Sequence, residues 1–316
     1  MNLSLTLACD HYDLMWPLIA GHIKPQGIDL RVLTMGDVRH DRMMQHGEFD
    51  ACEIGLAPYF IAHENRKPVT AIPVFLRRMF LHRFIFVHSS SKIFSLDELR
   101  GKRVGIRRSA NTLALWVKGL LLQEYGIASN QITWVAEKAD FVEYKSRQKI
   151  TFEVVPAGES LEGLLDKGLI DAAILPYTIP ALLRNPQNVR RLFPDYKNAE
   201  ISYYRNTGLF PIMHVLVIKN NILEREPWVG VNLLQAFQEA KMYWVNYLRN
   251  PPRVSLAWAS ALWEEEKGIL GEDPWAFNIG NNVRTIETLM AFALQEGLIS
   301  AKYDVKSLFA ESTHKF

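Results

Sequence analysis

IPVFLRRMFLHRFIFVH, residues Ile72 to His88, decides how the rest of the chain is read. It opens as a short apolar strand, passes through Arg77 and Arg78, and resumes as a run rich in Phe, Ile and Val, a composition that favours strand over helix. Read as a strand crossing between two lobes, it alternates its side chains: Arg78, Phe80, His82 and Phe84 share one face, and Arg77, Met79, Leu81 and Arg83 the other. A guanidinium and an imidazole then stand side by side. A second strand-like stretch, FPIMHVLVI from Phe210 to Ile218, carries His214 among apolar neighbours. If these are paired crossings, both histidines border a cleft.

Outward from the crossing, strands and helices alternate on both sides. Leu3 to Cys9, Ile28 to Leu33 and Asp50 to Gly55 read as strands separated by helical stretches at Tyr12 to His22 and Val38 to His46, each ended by Pro or Gly. That order implies a parallel sheet. Beyond the crossing, SLDE at Ser95 to Glu98 is a capping box. The pattern then restarts with strands at Arg103 to Ile106, Ile132 to Val135, Phe152 to Val155 and Ile170 to Leu175, around helices at Thr112 to Tyr125 and Ser160 to Asp166. Residues 136–149 read as a charged surface excursion, and helices at Trp228 to Arg249 and Val283 to Glu296 follow the second crossing. The aromatic residues Trp228, Phe237, Tyr243 and Trp244 fit core packing better than a cofactor box. The expectation is an α/β protein of two doubly wound lobes joined by two crossing strands: residues 1–88 with 215–316 in one, 89–214 in the other. Ligands of such sheets bind beyond the carboxyl ends of the strands.

Composition narrows the partner. At 316 residues the chain exceeds the usual single domain, and 48% of it is apolar, enough for real cores. The 36 Lys and Arg are spread along the chain against 34 Asp and Glu, which argues against nucleic acid and for a small molecule. No apolar run reaches the roughly 20 residues that span a bilayer, so no membrane partner is expected. The opening LSLTLAC reads directly as a strand without a leader, which points to the cytoplasm, or to the periplasm if a leader has been trimmed. Cys9 and Cys52 read as buried free thiols rather than a disulfide or redox pair. Self-association is left open. There is no Gly-rich phosphate loop, serine elbow, paired CxxC or HExxH.

Four stretches carry a resemblance: HGEFDACE at 46–53, LRGKRVGI at 99–106, RRLFPDY at 190–196, and above all YYRNTGLFPIMHVLVI at 203–218. Through them the chain resembles the 4,5-dihydroxyphthalate decarboxylase family, from Leu5 to about Leu308, and that implies a type II periplasmic-binding-protein-like fold. Tyr12, Asp13, Pro17, Arg78, Phe80 and His82 match its pattern, whereas Arg77 and Arg83 do not. Arg107, Arg108 and Ser109 stand where a proline, an acid and an aromatic are expected. Asp10 and His11 replace a glycine and an aspartate, and Gly280 stands where a glutamate is frequent. The implied activity is that of a carboxy-lyase acting on a hydroxylated aromatic (di)carboxylic acid. The rival is a non-catalytic solute-binding protein that transports or senses a small carboxylate.

Such a decarboxylation needs no electron-sink cofactor when a ring hydroxyl can push electron density toward the carbon bearing the carboxylate. The protein must supply a proton donor at that carbon, cations for a carboxylate and an acceptor for the phenol. His82 and His214 are the candidate donors, and Glu53 the candidate acceptor. Arg78 is the candidate carboxylate clamp, or else pairs structurally with Glu53. Ser109, Asn111 and Thr112 open a helix and make either an anion site or a plain cap, with Arg107 in support. Trp116 stacks on a ring or packs; Tyr12 and His11 sit at the end of the first strand, where they reach a ligand or simply pack. No metal is assigned, although His11, His82, His214 and Glu53 could converge on a divalent cation.

Overall fold

The computed structural model of the protein describes residues 2–144, 150, 152–180, 182, 188–249 and 254–316. The chain divides into two compact units. Unit 1 holds residues 1–78, 212–286 and 303–316; unit 2 holds 79–211 and 287–302.

Unit 1 begins with β1 (Leu3–Cys9), a one-turn helix α1 (Trp16–Ile19), β2 (Ile28–Thr34), α2 (Val38–His46), β3 (Ala51–Gly55), α3 (Leu56–Glu64) and β4 (Val69–Ile72). The helix expected over Tyr12 to His22 is shorter, a 3-10 turn at Asp13–Met15 running into α1, which has Pro17 in its first turn and Ala20 as its C-cap. Helix α2 ends where Gly47 takes a left-handed φ of 55° and caps the carbonyls of Arg42 and Met43.

Unit 2 follows with β5 (Ile85–His88), β6 (Arg103–Ile106), α4 (Thr112–Tyr125), β7 (Thr133–Ala136), β8 (Phe152–Val154), α5 (Leu161–Asp166), β9 (Ala172–Ile174), β10 (Val189–Arg191) and α6 (Tyr196–Thr207). The capping box at Ser95 and Glu98 starts a 3-10 turn, Leu96–Leu99. The excursion expected over 136–149 falls in part on 145–149, outside the described residues. The chain returns to unit 1 with β11 (His214–Lys219), α7 (Asn220–Arg225), α8 (Trp228–Leu248) and α9 (Ala259–Leu270). Helix α10 (Val283–Gln295) begins in unit 1 and continues in unit 2.

The unit 1 sheet has the order β2-β1-β3-β11-β4, and the unit 2 sheet β10-β5-β9-β6-β7-β8. Both are mixed. β11 runs antiparallel between β3 and β4, and β5 runs antiparallel between β9 and β10. The parallel-sheet expectation holds only for the βαβ pairs, because strand and helix alternation says nothing of a strand that joins from a distant part of the chain. β3 is buried along its whole length. In unit 2, Phe86, Val135, Leu161, Leu165, Ile170 and Ala173 form one buried cluster.

The crossing is not the continuous strand expected. Between β4 and β5 the chain bends at Pro73, where Val74 N–H donates to the Ile72 carbonyl at 2.7 Å, makes one isolated bridge, Arg78 to Ile212, and then Leu81 turns helical and opens a 3-10 turn, His82–Phe84. The alternation of faces therefore ends at Leu81. A run of Phe, Ile and Leu has no Gly or Pro to betray such a turn. On the return, Met213 N–H donates to the Arg77 carbonyl at 2.9 Å, and the strand starts at His214 rather than Phe210. The aromatic stripe of α8 also divides: Phe237 is 1% exposed, whereas Trp228 and Tyr243 are each 37% exposed. Among the described residues, no helix is long and apolar enough to cross a membrane.

Candidate active site

Glu53 lies in the middle of β3, with no exposed surface. Its partner across the ladder is Leu216 of β11, and His214, two residues along that strand, shares the face as a diagonal neighbour. The register alone thus brings imidazole to carboxylate. His214 Nδ1 lies 2.5 Å from Glu53 Oε1, and the Tyr12 hydroxyl donates to the same oxygen at 2.5 Å. The other oxygen, Oε2, accepts from Arg39 Nη2 at 2.8 Å and from the backbone N–H of Asp10 at 3.0 Å. Arg39 is held in turn by the carbonyls of Glu53, at 3.1 Å, and Met35, at 2.9 Å.

A buried carboxylate with this many donors is ionised. Burial pushes its carboxyl up, but the neighbouring His214 imidazole and the Arg39 charge, with hydrogen bonds from His214 and Tyr12, more than offset that and hold it well below the usual carboxylate range. An ionised carboxylate only accepts, so Nδ1 of His214 carries the proton and Nε2 presents a lone pair. Burial lowers the pKa of His214, Glu53 opposes it, and Arg77 and Arg39 lower it again; the ring is neutral at rest. Its side chain keeps 10% exposure, and among the described residues no hydrogen-bond partner takes Nε2. Tyr12 is a firm donor, because burial and then the Glu53 charge drive its hydroxyl far above the ordinary phenol range. His40 packs edge-on against His214 with ring centroids 5.5 Å apart; burial, then Arg39 and His214, hold it neutral. Cys9 and Cys52 are free and buried, and burial with the Glu53 charge pushes the Cys9 thiol up to about 12.

Of the residues expected from sequence, Glu53, His214 and Tyr12 converge in unit 1. His11 is exposed, and its backbone N–H donates to the Asp10 side chain at 2.8 Å. Arg78 is 6% exposed and engages Asn282 and the Ala276 carbonyl, with its guanidinium 5.5 Å from the Phe75 ring centroid. The structural pairing of Glu53 with Arg78 is therefore replaced by Glu53 with Arg39.

The remaining candidates belong to unit 2. His82 packs edge-on against Phe193 and Tyr203, with ring centroids 4.9 and 5.7 Å away. Its Nδ1 is buried and has no hydrogen-bond partner among the described residues, and burial lowers its pKa to about 4. Asn111 is the cap of α4, its side chain accepting from Ala114 N–H at 3.2 Å. The Ser109 hydroxyl binds Asp140 and lies 2.7 Å from the Tyr144 hydroxyl, while Asp140 also accepts from Ala110 N–H at 2.9 Å. A carboxylate of the chain itself thus occupies the start of the helix. Arg107 pairs with Glu137 at 2.6 Å, and Thr112 and Trp116 are buried. Among the described residues no group of three or more His, Cys, Asp or Glu is arranged to hold a metal, so His11, His82, His214 and Glu53 do not form one.

Arg39 has no place in the sequence reading, and Arg77 falls there on the other face of the crossing, outside the family pattern. A signal for Arg39 existed: Arg39, His40, Met43 and Met44 form the buried face of α2 at helical spacing. Arg77 is half-buried, and its charge lowers the pKa of both Tyr12 and His214.

The fold defines the class. The periplasmic aliphatic sulphonate binding protein SsuA from Escherichia coli superposes with a TM-score of 0.53 at 13% identity, covering 100% of both chains. This chain therefore has the type II periplasmic-binding-protein-like fold. In sequence it is 28% identical over 318 residues to a 4,5-dihydroxyphthalate decarboxylase of Comamonas testosteroni, covering 98% of this chain and 96% of the relative. It is also 28% identical over 212 residues to the protein of the same name from Pseudomonas putida, covering 65% of this chain and 82% of that one. No family model matches the chain. The likeness to the first relative covers nearly the whole of both chains.

Proposed function

We propose that this protein is a decarboxylase of a hydroxylated aromatic (di)carboxylic acid such as 4,5-dihydroxyphthalate. The observation that supports it is the Glu53 and His214 pair: a carboxylate that fixes the tautomer of an imidazole and leaves Nε2 to move a proton. Nε2 takes the proton of a ring hydroxyl, and the phenolate pushes electron density into the ring. The imidazolium, steadied by Glu53, delivers its proton to the carbon bearing the carboxylate. The bond to the carboxylate then breaks, carbon dioxide leaves, and the bonding electrons return to the ring; the hydroxyl recovers a proton from solvent, so one proton is consumed overall.

Glu53, with its lone pairs taken by four donors, acts as a positioning residue and not as the phenol acceptor. Arg77, whose charge is felt at both Tyr12 and His214, is better placed than Arg78 to hold a substrate carboxylate. Purified protein is expected to release carbon dioxide from 4,5-dihydroxyphthalate, and His214→Gln to lower kcat about 10²- to 10⁴-fold while binding persists. Binding of the acid without release of carbon dioxide would favour a solute-binding role; unchanged turnover in His214→Gln would remove the imidazole from the chemistry.

A further inference from the structure

The unit 1 sheet carries a second feature at its other end. His214 pairs with Gly55 at the close of β3, whereas Ile218 pairs with Ala51 at its start, a separation of ~13 Å at the rise of a strand. At that far end, the close of α2, the start of β4 and the close of β11 enclose a cavity of about 490 Å³. This is within the range of small-molecule sites. Its floor is apolar: Met43, Met44 and Val69 are 2%, 6% and 8% exposed. Its rim carries the ammonium groups of Lys67 and Lys219, and among the described residues no carboxylate lines it. Neither lysine has an ion-pair partner among the described residues. The carbonyls of Arg42 and Met43 at the end of α2, which would oppose an anion, are already satisfied by Gly47 N–H.

Uncompensated ammonium groups around a half-enclosed space attract an anion. Thioether side chains adapt to an irregular apolar body, and an inorganic anion would make no use of such a floor. We propose that this cavity binds a small amphipathic organic anion, an aryl or short-chain carboxylate, with its charge toward Lys67 and Lys219 and its apolar body on Met43 and Met44. The assignment is independent of the decarboxylase reading, since it shares no residue with the Glu53 cluster.

The test is a titration of the full chain, labelled with ¹³C at the methionine methyls, with benzoate. The Met43 and Met44 signals are assigned through Met43→Leu and Met44→Leu. Saturable shifts at both methyls are expected, and they persist in His214→Gln. The double variant Lys67→Ala, Lys219→Ala, which alters one exposed and one half-buried side chain and keeps the native circular dichroism, is expected to weaken benzoate about fivefold. Absence of a saturable shift, equal benzoate affinity in the double variant, or an equal response to inorganic phosphate would each overturn the proposal.

Discussion

Glu53 shows how a residue's role is set by the number of partners it already has. A carboxylate stripped of water costs several kcal/mol, and here Arg39, His214, Tyr12 and the Asp10 N–H replace that hydration. Glu53→Gln keeps the shape and removes the charge, so Arg39 is left buried without its counter-ion and the His214 tautomer is no longer imposed. We expect a loss of about 3–5 kcal/mol in denaturant unfolding, with kcat falling while KM changes little; a variant as stable as the parent would mean that Arg39 finds another acceptor. His82 argues a different point. Burial depresses its pKa from 6.5 to about 4, so between those values the unfolded chain binds a proton that the native state refuses, and stability falls as pH drops below 6.5. Going from about pH 7 to about pH 5, His82 should cost the native state about 2 kcal/mol. His82→Phe, measured by urea unfolding at both pH values, should flatten the dependence by that amount; an unaltered slope would show that the ring is hydrated in the native state. Glu53 and His214 were legible because an acid and an imidazole in apolar strands are conspicuous. Arg39 was harder to read, since the helical spacing that marks the buried face of α2 does not say which of its polar residues meets Glu53.

Among the elements, α4 was legible to the residue: Asn111 caps it and Gly126, at a φ of 63°, stops it. What the helix packs against was not legible, because Phe292 lies far along the chain. Gly119 gives room for that ring; a Cβ built there would lie 2.1 Å from Phe292 Cδ2, and Trp116 meets the same ring edge-on at 5.7 Å. Gly119→Ala improves helix propensity by about 1 kcal/mol, but overpacking costs about 1–3 kcal/mol, so the sign is decided by whether Phe292 can move. With Trp116 against it and Ala293 fully buried beside it, the ring is confined, and the variant should be less stable by about 1–2 kcal/mol. Gly119→Ala combined with Phe292→Leu should recover part of the loss; a single variant more stable than the parent would show the contact to be soft. The stretch from Ile72 to His88 was misread for a related reason. Composition favoured a strand, while the turn at His82–Phe84 is closed by a bond from Phe84 N–H to the Leu81 carbonyl, which leaves no mark in composition.

At the scale of the whole molecule, the two α/β sheets follow from the alternation of strands and helices, but the number of times the chain enters each unit does not. Unit 1 is built from three separate stretches, and the last of them, 303–316, has no strand or α-helix to announce it. Its attachment is made of side chains and single hydrogen bonds. Tyr59 donates its hydroxyl to the Leu308 carbonyl, Ala310 N–H donates to the Ala71 carbonyl at 2.8 Å, and Leu308 and Phe309 are 0% and 3% exposed. These contacts close a loop of more than 200 residues, so they form late and hold the edge strand β4 against the rest of the sheet. Removing residues 304–316 deletes the buried side chains of Val305, Leu308 and Phe309, exposes the surface they cover and leaves the Tyr59 hydroxyl without its acceptor. At about 1.5–3 kcal/mol per buried apolar side chain, the loss is on the order of 5 kcal/mol, comparable with the whole stability of a domain. We expect the truncated chain to show collapsed hydrogen-exchange protection in β4 and β11, with protection in β6 and β7 retained. Uniform loss in both sheets would mean that the units unfold as one body, and full protection throughout would mean that the C-terminal segment contributes nothing to unit 1.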